Sequence, residues 1–244
     1  MKVNGIDLKE KYGSKIRIGQ QTIRERTIVN FTDWIDEYDS PTTGQEPKHK
    51  FFDVEAELIV IGTSKTDAEL TVSNIIADCR SGEIELDNVD LILTGELKEA
   101  EKEFKKRWVY ALSLKFQAWD KMESEVTVTI DDASSKTVDV AGNLETPCII
   151  ELVPSGAITR YTIKGAARNP VTGEEEDIAI KNLSAGKKVI IDGEACTVTE
   201  DGANKYADTE MWEFPTLLPG ANALTFTSSS VPCDVTIKYK PRYI

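Results

Sequence analysis

The side chains that could carry chemistry in this sequence are few and widely separated. His49 is the single histidine, and it lies in a polar stretch between Pro47 and Phe51. A Ser-His-Asp or Cys-His site needs a histidine held firmly beside its nucleophile, and an exposed loop does not hold a side chain in that way. The sequence therefore predicts a solvated histidine and no catalytic residues.

The cysteines do not form a recognisable metal or redox motif. Cys79, Cys148, Cys196 and Cys233 are far apart in the sequence, which excludes a local CxxC pair. We expect four buried thiols of a protein kept in a reducing compartment. The glycines are isolated, so a phosphate-binding loop is excluded as well. No cofactor and no metal ion are predicted.

Two further features could bind a ligand. Glu174-Glu175-Glu176-Asp177 is the densest acidic run, but a calcium loop also needs interleaved glycine to turn its carboxylates inward. A consecutive run points in several directions and favours a solvated hairpin tip. Trp212 would be a sugar-binding platform if it were exposed. Because tryptophan in a β-sandwich is commonly buried, we expect it in the core.

The charge balance excludes several classes of partner. The chain has 244 residues and a formal net charge of -13, whereas DNA-binding proteins gain affinity by neutralising phosphates. The same balance disfavours an anionic membrane surface. The chain carries neither a signal-peptide core nor an apolar run long enough for a membrane span. We expect a soluble product made in the cytoplasm, without sequence-specific nucleic-acid binding or membrane association.

The first half of the chain has strand patterns with one helix. Alternation predicts strands at Phe52–Ile61 and Trp108–Trp119, and two more strands are expected around a Gly19-Gln20 turn. Thr66 and Glu69 form a capping box that predicts a helix ending at Gly82. The charged segment Leu97–Lys106 fits either a short helix or a projecting β-arm.

The second half has β patterns only. About eight short strands separated by turn residues indicate a β-sandwich or jelly roll. Asp192-Gly193 predicts a two-residue hairpin turn, and Pro219-Gly220 predicts a type II turn onto which the Asn222 amide can bond. The fold class is therefore mainly β, with an N-terminal β-rich (α+β) domain over residues 1–124 and a C-terminal β-sandwich over residues 125–244.

The second half also resembles a known family. It contains the entry Gly142-Asn143-Leu144-Glu145-Thr146-Pro147, the hairpin Val189–Gly193 and a close at Pro241-Arg242-Tyr243. The most specific feature is a turn whose signature residues are Phe214, Pro215, Leu218, Pro219, Gly220 and Asn222. Together these features resemble the C-terminal, galectin-like domain of distal tail proteins (Dit-like baseplate hubs) of siphophages and related prophages. The first half is similar only in the order of its elements.

The resemblance implies a structural, non-enzymatic protein of the virion tail, assembled in the bacterial host cytoplasm. In that family the N-terminal domains form a hexameric ring on the tail tube protein, through which DNA passes. The C-terminal domains support tail-tip or receptor-binding proteins. We expect a subunit or tube interface that includes the following residues: Trp34, Glu96, Lys105, Lys106 and Arg107. The alternative is a carbohydrate-binding β-sandwich module that uses Trp212.

Overall fold

The computed structural model describes residues 1–24, 51–131, 134–169, 171–228 and 231–243. The loop predicted over residues 31–50, with Trp34 and His49, lies outside them. The chain divides into two compact units, Met1–Lys121 and Met122–Ile244, each with its own hydrophobic core.

The first unit is built on one antiparallel sheet. Its elements are β1 (Lys2–Val3), β2 (Ile6–Asp7), α1 (Leu8–Tyr12), a 3-10 turn (Gly13–Lys15), β3 (Ile16–Arg24), β4 (Phe52–Ile61), α2 (Lys65–Asp78), β5 (Ser81–Glu85), β6 (Ile92–Lys106) and β7 (Val109–Met122). The strands pair in the order β2-β1-β5-β6-β7-β4-β3. Alternate residues of β4 are buried, as predicted: Phe52, Val54, Ala56, Leu58 and Val60. They share the core with Leu112, Leu114 and Phe116 of β7 and with Val72 and Ile75 of α2.

Helix α2 begins and ends earlier than the sequence predicted. Its N-cap is Ser64, whose hydroxyl accepts a hydrogen bond from the Asp67 amide at 3.0 Å. Thr66 is therefore inside the first turn, and Glu69 instead forms an ion pair with Lys102. The helix ends at Asp78, with Cys79 as C-cap. A short helix that was not predicted, α1, is capped by Asp7, which accepts from two backbone amides.

Two strand predictions in this unit were wrong in detail. Residues 16–24 form one strand rather than a hairpin, since the Gly19-Gln20 pair is a bulge in the pairing of β3 with β4. A bulge inserts a residue without reversing the chain. Trp108 does not share the buried face of β7, because it occupies the turn before that strand with a φ of +62°.

The second unit contains two antiparallel sheets around one core. Its elements are β8 (Val126–Ile130), β9 (Ser135–Val140), β10 (Thr146–Pro154), β11 (Ile158–Lys164), β12 (Ile178–Leu183), β13 (Val189–Asp192), β14 (Thr197–Glu200), β15 (Ala203–Asn204), a 3-10 turn (Tyr206–Asp208), β16 (Thr209–Glu210), β17 (Thr216–Leu217), β18 (Gly220–Thr227), β19 (Cys233–Tyr239) and β20 (Arg242–Tyr243). One sheet has the order β15-β14-β13-β10-β19-β8, with β17 also paired to β10, and the other has the order β16-β12-β11-β18-β9. Both sheets contribute to the core, with Ile150 and Ile237 from the first and Tyr161 and Leu224 from the second. The mainly β fold class is confirmed.

The hairpin of β13 and β14 forms with a longer turn than the two-residue turn predicted. Asp192 pairs with Thr197, and its carboxylate accepts from the amides of Glu194 and Ala195. The positive φ in this turn, +53°, belongs to Cys196. Gly193 is needed for a different reason, because a Cβ there would lie 2.1 Å from the carbonyl oxygen of Pro215.

Candidate interaction surfaces

Asn222 organises the turn between β17 and β18. Its Oδ1 accepts from the Leu218 amide at 2.9 Å, and its Nδ2 donates to the carbonyls of Leu218 at 2.7 Å and Gly220 at 2.9 Å. A longer bond of 3.4 Å reaches the Val138 carbonyl on β9. Gly220 has a φ of +86°, as the third position of a type II turn requires. This is the local geometry that the Pro-Gly-x-Asn pattern predicted.

The other signature residues hold the same segment against the core. Phe214 packs against the core and stacks on Tyr206, with ring centroids 6.1 Å apart. The Pro215 carbonyl accepts from the Cys148 amide at 3.0 Å. Leu218 and Pro219 are exposed. Most of the signature residues therefore hold this segment against the sandwich, and only a small part of the signature faces solvent.

The charged segment after Glu96 is a β-arm rather than a helix. It lies within β6, next to β7 in the sheet. Lys102 links the arm to α2 through an ion pair of 2.5 Å with Glu69, and its ammonium lies 5.0 Å from the centre of the Tyr110 ring. The hydrogen bond from Lys102 lowers the pKa of Glu69. The arm is thus supported by the helix beneath it.

The tip of the arm brings three of the predicted interface residues together. Lys105, Lys106 and Arg107 follow one another in an exposed basic cluster. Lys105 pairs with Glu103 at 2.7 Å, and the Arg107 guanidinium lies 5.2 Å from the centre of the Trp108 ring. Phe104, beside them, is 64% exposed.

The remaining predicted interface residues are not part of this tip. Glu96 is exposed further back on β6, where it pairs in register with Ser81. Trp34 is outside the described residues. Of the five predicted interface residues, the tip therefore brings together the three cations.

A buried lysine in the second unit was not predicted. The Lys205 ammonium, whose side chain is 6% exposed, lies 3.2 Å from Glu200 and 3.1 Å from Asp208. It also donates to the Asn182 carbonyl at 2.9 Å. Burial alone would lower the pKa of Lys205, but the hydrogen bonds to the two carboxylates outweigh it and raise the pKa. Every proton of the ammonium is thus directed at an oxygen, which identifies a structural ion cluster.

Trp212 is exposed, which corrects the prediction of a core tryptophan. It is 90% exposed on the loop between β16 and β17. The nearby residues Met211 and Phe214 are partly buried and pack against the core. Val171, which the sequence analysis did not single out, is 91% exposed. Its exposure could have been predicted only from its position as an apolar residue within a run of turn residues.

The described residues show no metal-binding cluster and no disulfide. No group of three His, Cys, Asp or Glu side chains that could hold a metal ion occurs among them. The four cysteines are present as thiols, and Cys196 is exposed, contrary to prediction. Burial raises the pKa of Cys79 to about 12 and also raises the pKa of Cys148, so both stay protonated and unreactive. Neither helix in the described part of the chain is long and apolar enough to cross a bilayer.

Comparisons with known proteins point to one family. Residues 141–243 match the family model for the siphovirus-type tail component, C-terminal domain. No match was found among curated protein sequences.

Two solved structures share the fold. The Dit protein (gp 19.1) of phage SPP1, described as a paradigm of the hub adsorption apparatus in phages that infect Gram-positive bacteria, is 15% identical with a TM-score of 0.68. The alignment covers 99% of this chain and 98% of that chain. The baseplate of phage P2, in its activated conformation with calcium, contains a chain that is 12% identical with a TM-score of 0.50, and the alignment covers 93% and 91%. Residues 141–243 are therefore similar to the C-terminal domain of siphovirus-type tail components, and the chain as a whole shares the fold of the SPP1 Dit protein.

Proposed function

We propose that the protein is a non-enzymatic distal tail component that forms a hexameric ring between the tail tube and the baseplate or receptor-binding apparatus. The match of residues 141–243 to a tail-component family carries this proposal. In it, residues 1–124 form the ring and contact the tail tube protein. Residues 125–244 dock tail-tip or receptor-binding proteins.

Charge supports the assignment of the β-arm to a subunit or tube contact. The chain has a net charge of -13, whereas Lys105, Lys106 and Arg107 concentrate positive charge at one exposed tip. A second copy of an acidic chain is a favourable partner for such a tip, since opposite potentials steer and orient association. An acidic ring wall would also repel the phosphates of passing DNA.

Charge reversal at the arm tip tests the proposal. We expect that changing Lys105, Lys106 and Arg107 to Glu together abolishes ring formation and leaves the melting temperature of the monomer unchanged, because all three side chains are exposed. Rings are counted in negative-stain images, with and without the purified tail tube protein. Light scattering gives the mass of the particles.

The matched control reverses three exposed lysines of the second unit: Lys136, Lys164 and Lys187. It makes the same change in net charge. If rings form normally in the control and not in the tip variant, the subunit or tube contact lies at the arm tip. Normal rings in the tip variant would refute the arm contact. A strict monomer under all conditions, with no binding to tube or tail-tip proteins, would refute the ring.

The exposure of Trp212 favours a second candidate function, a carbohydrate-binding module. An exposed tryptophan offers a flat apolar face on which a sugar ring can stack. Galectin-type sites combine such a face with a histidine, and the second unit contains no histidine. Specific binding on a glycan array that disappears in Trp212→Ala would establish this function in place of docking.

A further inference from the structure

Two loops of the second unit lie together at one end of the sandwich. Residues 171–177 precede β12, and residues 211–215 follow β16, its partner in the sheet. The backbone fixes both loops to the same buried dipeptide, Ala166-Ala167. The Thr216 amide donates to the Ala166 carbonyl at 2.8 Å, and the Glu176 amide donates to the Ala167 carbonyl at 2.9 Å. The bases of the two loops are therefore held side by side at this end of the sandwich.

Each of these loops presents one large apolar side chain to solvent. Trp212 and Val171 are 90% and 91% exposed. The loop that carries Trp212 is anchored on both sides, since Met211 and Phe214 pack against the core. On the other loop, the Asn169 side chain accepts from the amides of Val171 and Thr172 at 2.9 and 3.1 Å. Because both loops are already anchored, their backbones lose little conformational entropy when a partner binds.

The two loops themselves carry acidic side chains and no basic ones. Residues 171–177 and 211–215 contain Glu174, Glu175, Glu176, Asp177 and Glu213 and no Lys, Arg or His. Glu175 pairs with Arg168, and Asp177 pairs with Lys164, each at 3.0 Å. Among the described residues, no cation forms an ion pair with Glu174 or Glu213. We call Val171, Glu174, Trp212 and Glu213 the Trp212 tip.

We propose that the Trp212 tip is a docking surface for a protein that presents an apolar pocket flanked by Lys or Arg. Trp212 would enter the pocket and the two carboxylates would face the cations, an arrangement typical of interface hot spots, where a central aromatic is surrounded by polar groups. An aliphatic Val171 adds contact area for a protein and no hydrogen bond for a sugar. The carboxylates also repel anionic glycans. This inference rests on the proposed docking role of residues 125–244 and names its surface and the chemistry of its partner.

Binding measurements on the full chain test this inference. Each structural tail protein encoded beside this chain is purified and tested separately by biolayer interferometry at low and at raised salt. We expect one of them to bind, with Trp212→Ala weakening the affinity by at least about 30-fold, as for a hot-spot tryptophan. The double change Glu174→Lys and Glu213→Lys is expected to slow association and remove its salt dependence. Circular dichroism verifies that the variants are folded.

The matched control is the double change Glu125→Lys and Asp234→Lys, at exposed positions associated with the other sheet, and it should bind normally. Equal weakening in the control and the tip variants would overturn the inference. So would tight binding that survives Trp212→Ala, although docking by the second unit would then stand. Binding by none of the tail proteins, specific glycan binding through Trp212 or self-association through the tip would each also overturn it. Ring formation is measured separately, so the proposed function is tested whatever the outcome at the Trp212 tip.

Discussion

At the scale of single residues, buried and half-buried polar groups contribute to the stability of the second unit. Glu151 on β10 is 12% exposed and accepts from Lys188 at 2.8 Å and from Lys238 at 2.7 Å. The hydrogen bonds from these lysines lower the pKa of Glu151. A carboxyl with a lowered pKa in the folded state contributes stability above its unfolded pKa and loses it as the pH falls through the folded pKa.

We therefore expect Glu151→Gln to lower the free energy of unfolding by about 1 kcal/mol near neutral pH, a modest value because water screens the lysines. The difference from the unchanged protein should shrink steadily as the pH falls below the ordinary Glu value of 4.5. Urea unfolding across this pH range measures both. A difference that stays constant with pH would show that the ion pairs do not contribute.

Asn222 provides the second prediction at this scale. It is 6% exposed, and Asn222→Ala leaves the Leu218 amide without its side-chain acceptor. We expect a loss of about 2 kcal/mol, since Asn222 is itself buried and its replacement breaks four hydrogen bonds at once. Asn204→Ala is the control, because Asn204 is exposed and caps only the Tyr206 amide. Equal losses in urea unfolding would contradict the importance assigned to the turn.

At the scale of elements, the sequence offers two candidate N-cap residues for α2. Both Ser64 and Thr66 are acceptable N-cap residues, but only the Ser64 hydroxyl accepts from a backbone amide of the first turn. We expect Ser64→Ala to cost about 1 kcal/mol of stability, as for other N-caps. Thr66→Ala, at an exposed position within the first turn, should cost much less. Thermal unfolding of the two variants measures the difference, and a larger loss from Thr66→Ala would restore the sequence-based cap.

At the scale of the whole molecule, each unit has its own core. Leu114 in the first unit and Ile150 in the second are fully buried, so either change to Ala removes about 2–5 kcal/mol from its unit. We expect calorimetry to resolve two transitions, with Leu114→Ala lowering one melting temperature and Ile150→Ala lowering the other. If both variants lowered both transitions equally, the units would unfold as one.

Much of the fold could be predicted from the sequence because its signals are local. Alternation at Phe52–Ile61 has the period of a half-buried strand, and Pro219-Gly220 with Asn222 specifies a turn whatever surrounds it. The candidate surfaces were predicted less well. Lys105, Lys106 and Arg107 could be named from their charge, but a helix and a β-arm fit the same charged segment.

The sequence by itself determined the mainly β class, the scarcity of catalytic groups and the resemblance to distal tail proteins. Only the tertiary structure decided that the charged segment is a strand, that Gly19 lies in a bulge and that Trp212 is exposed. The physical reason is that periodicity and turn chemistry depend on adjacent residues, whereas burial depends on which side chains fill the space. Met211 and Phe214 pack against the core, whereas Trp212, between them in the sequence, faces solvent.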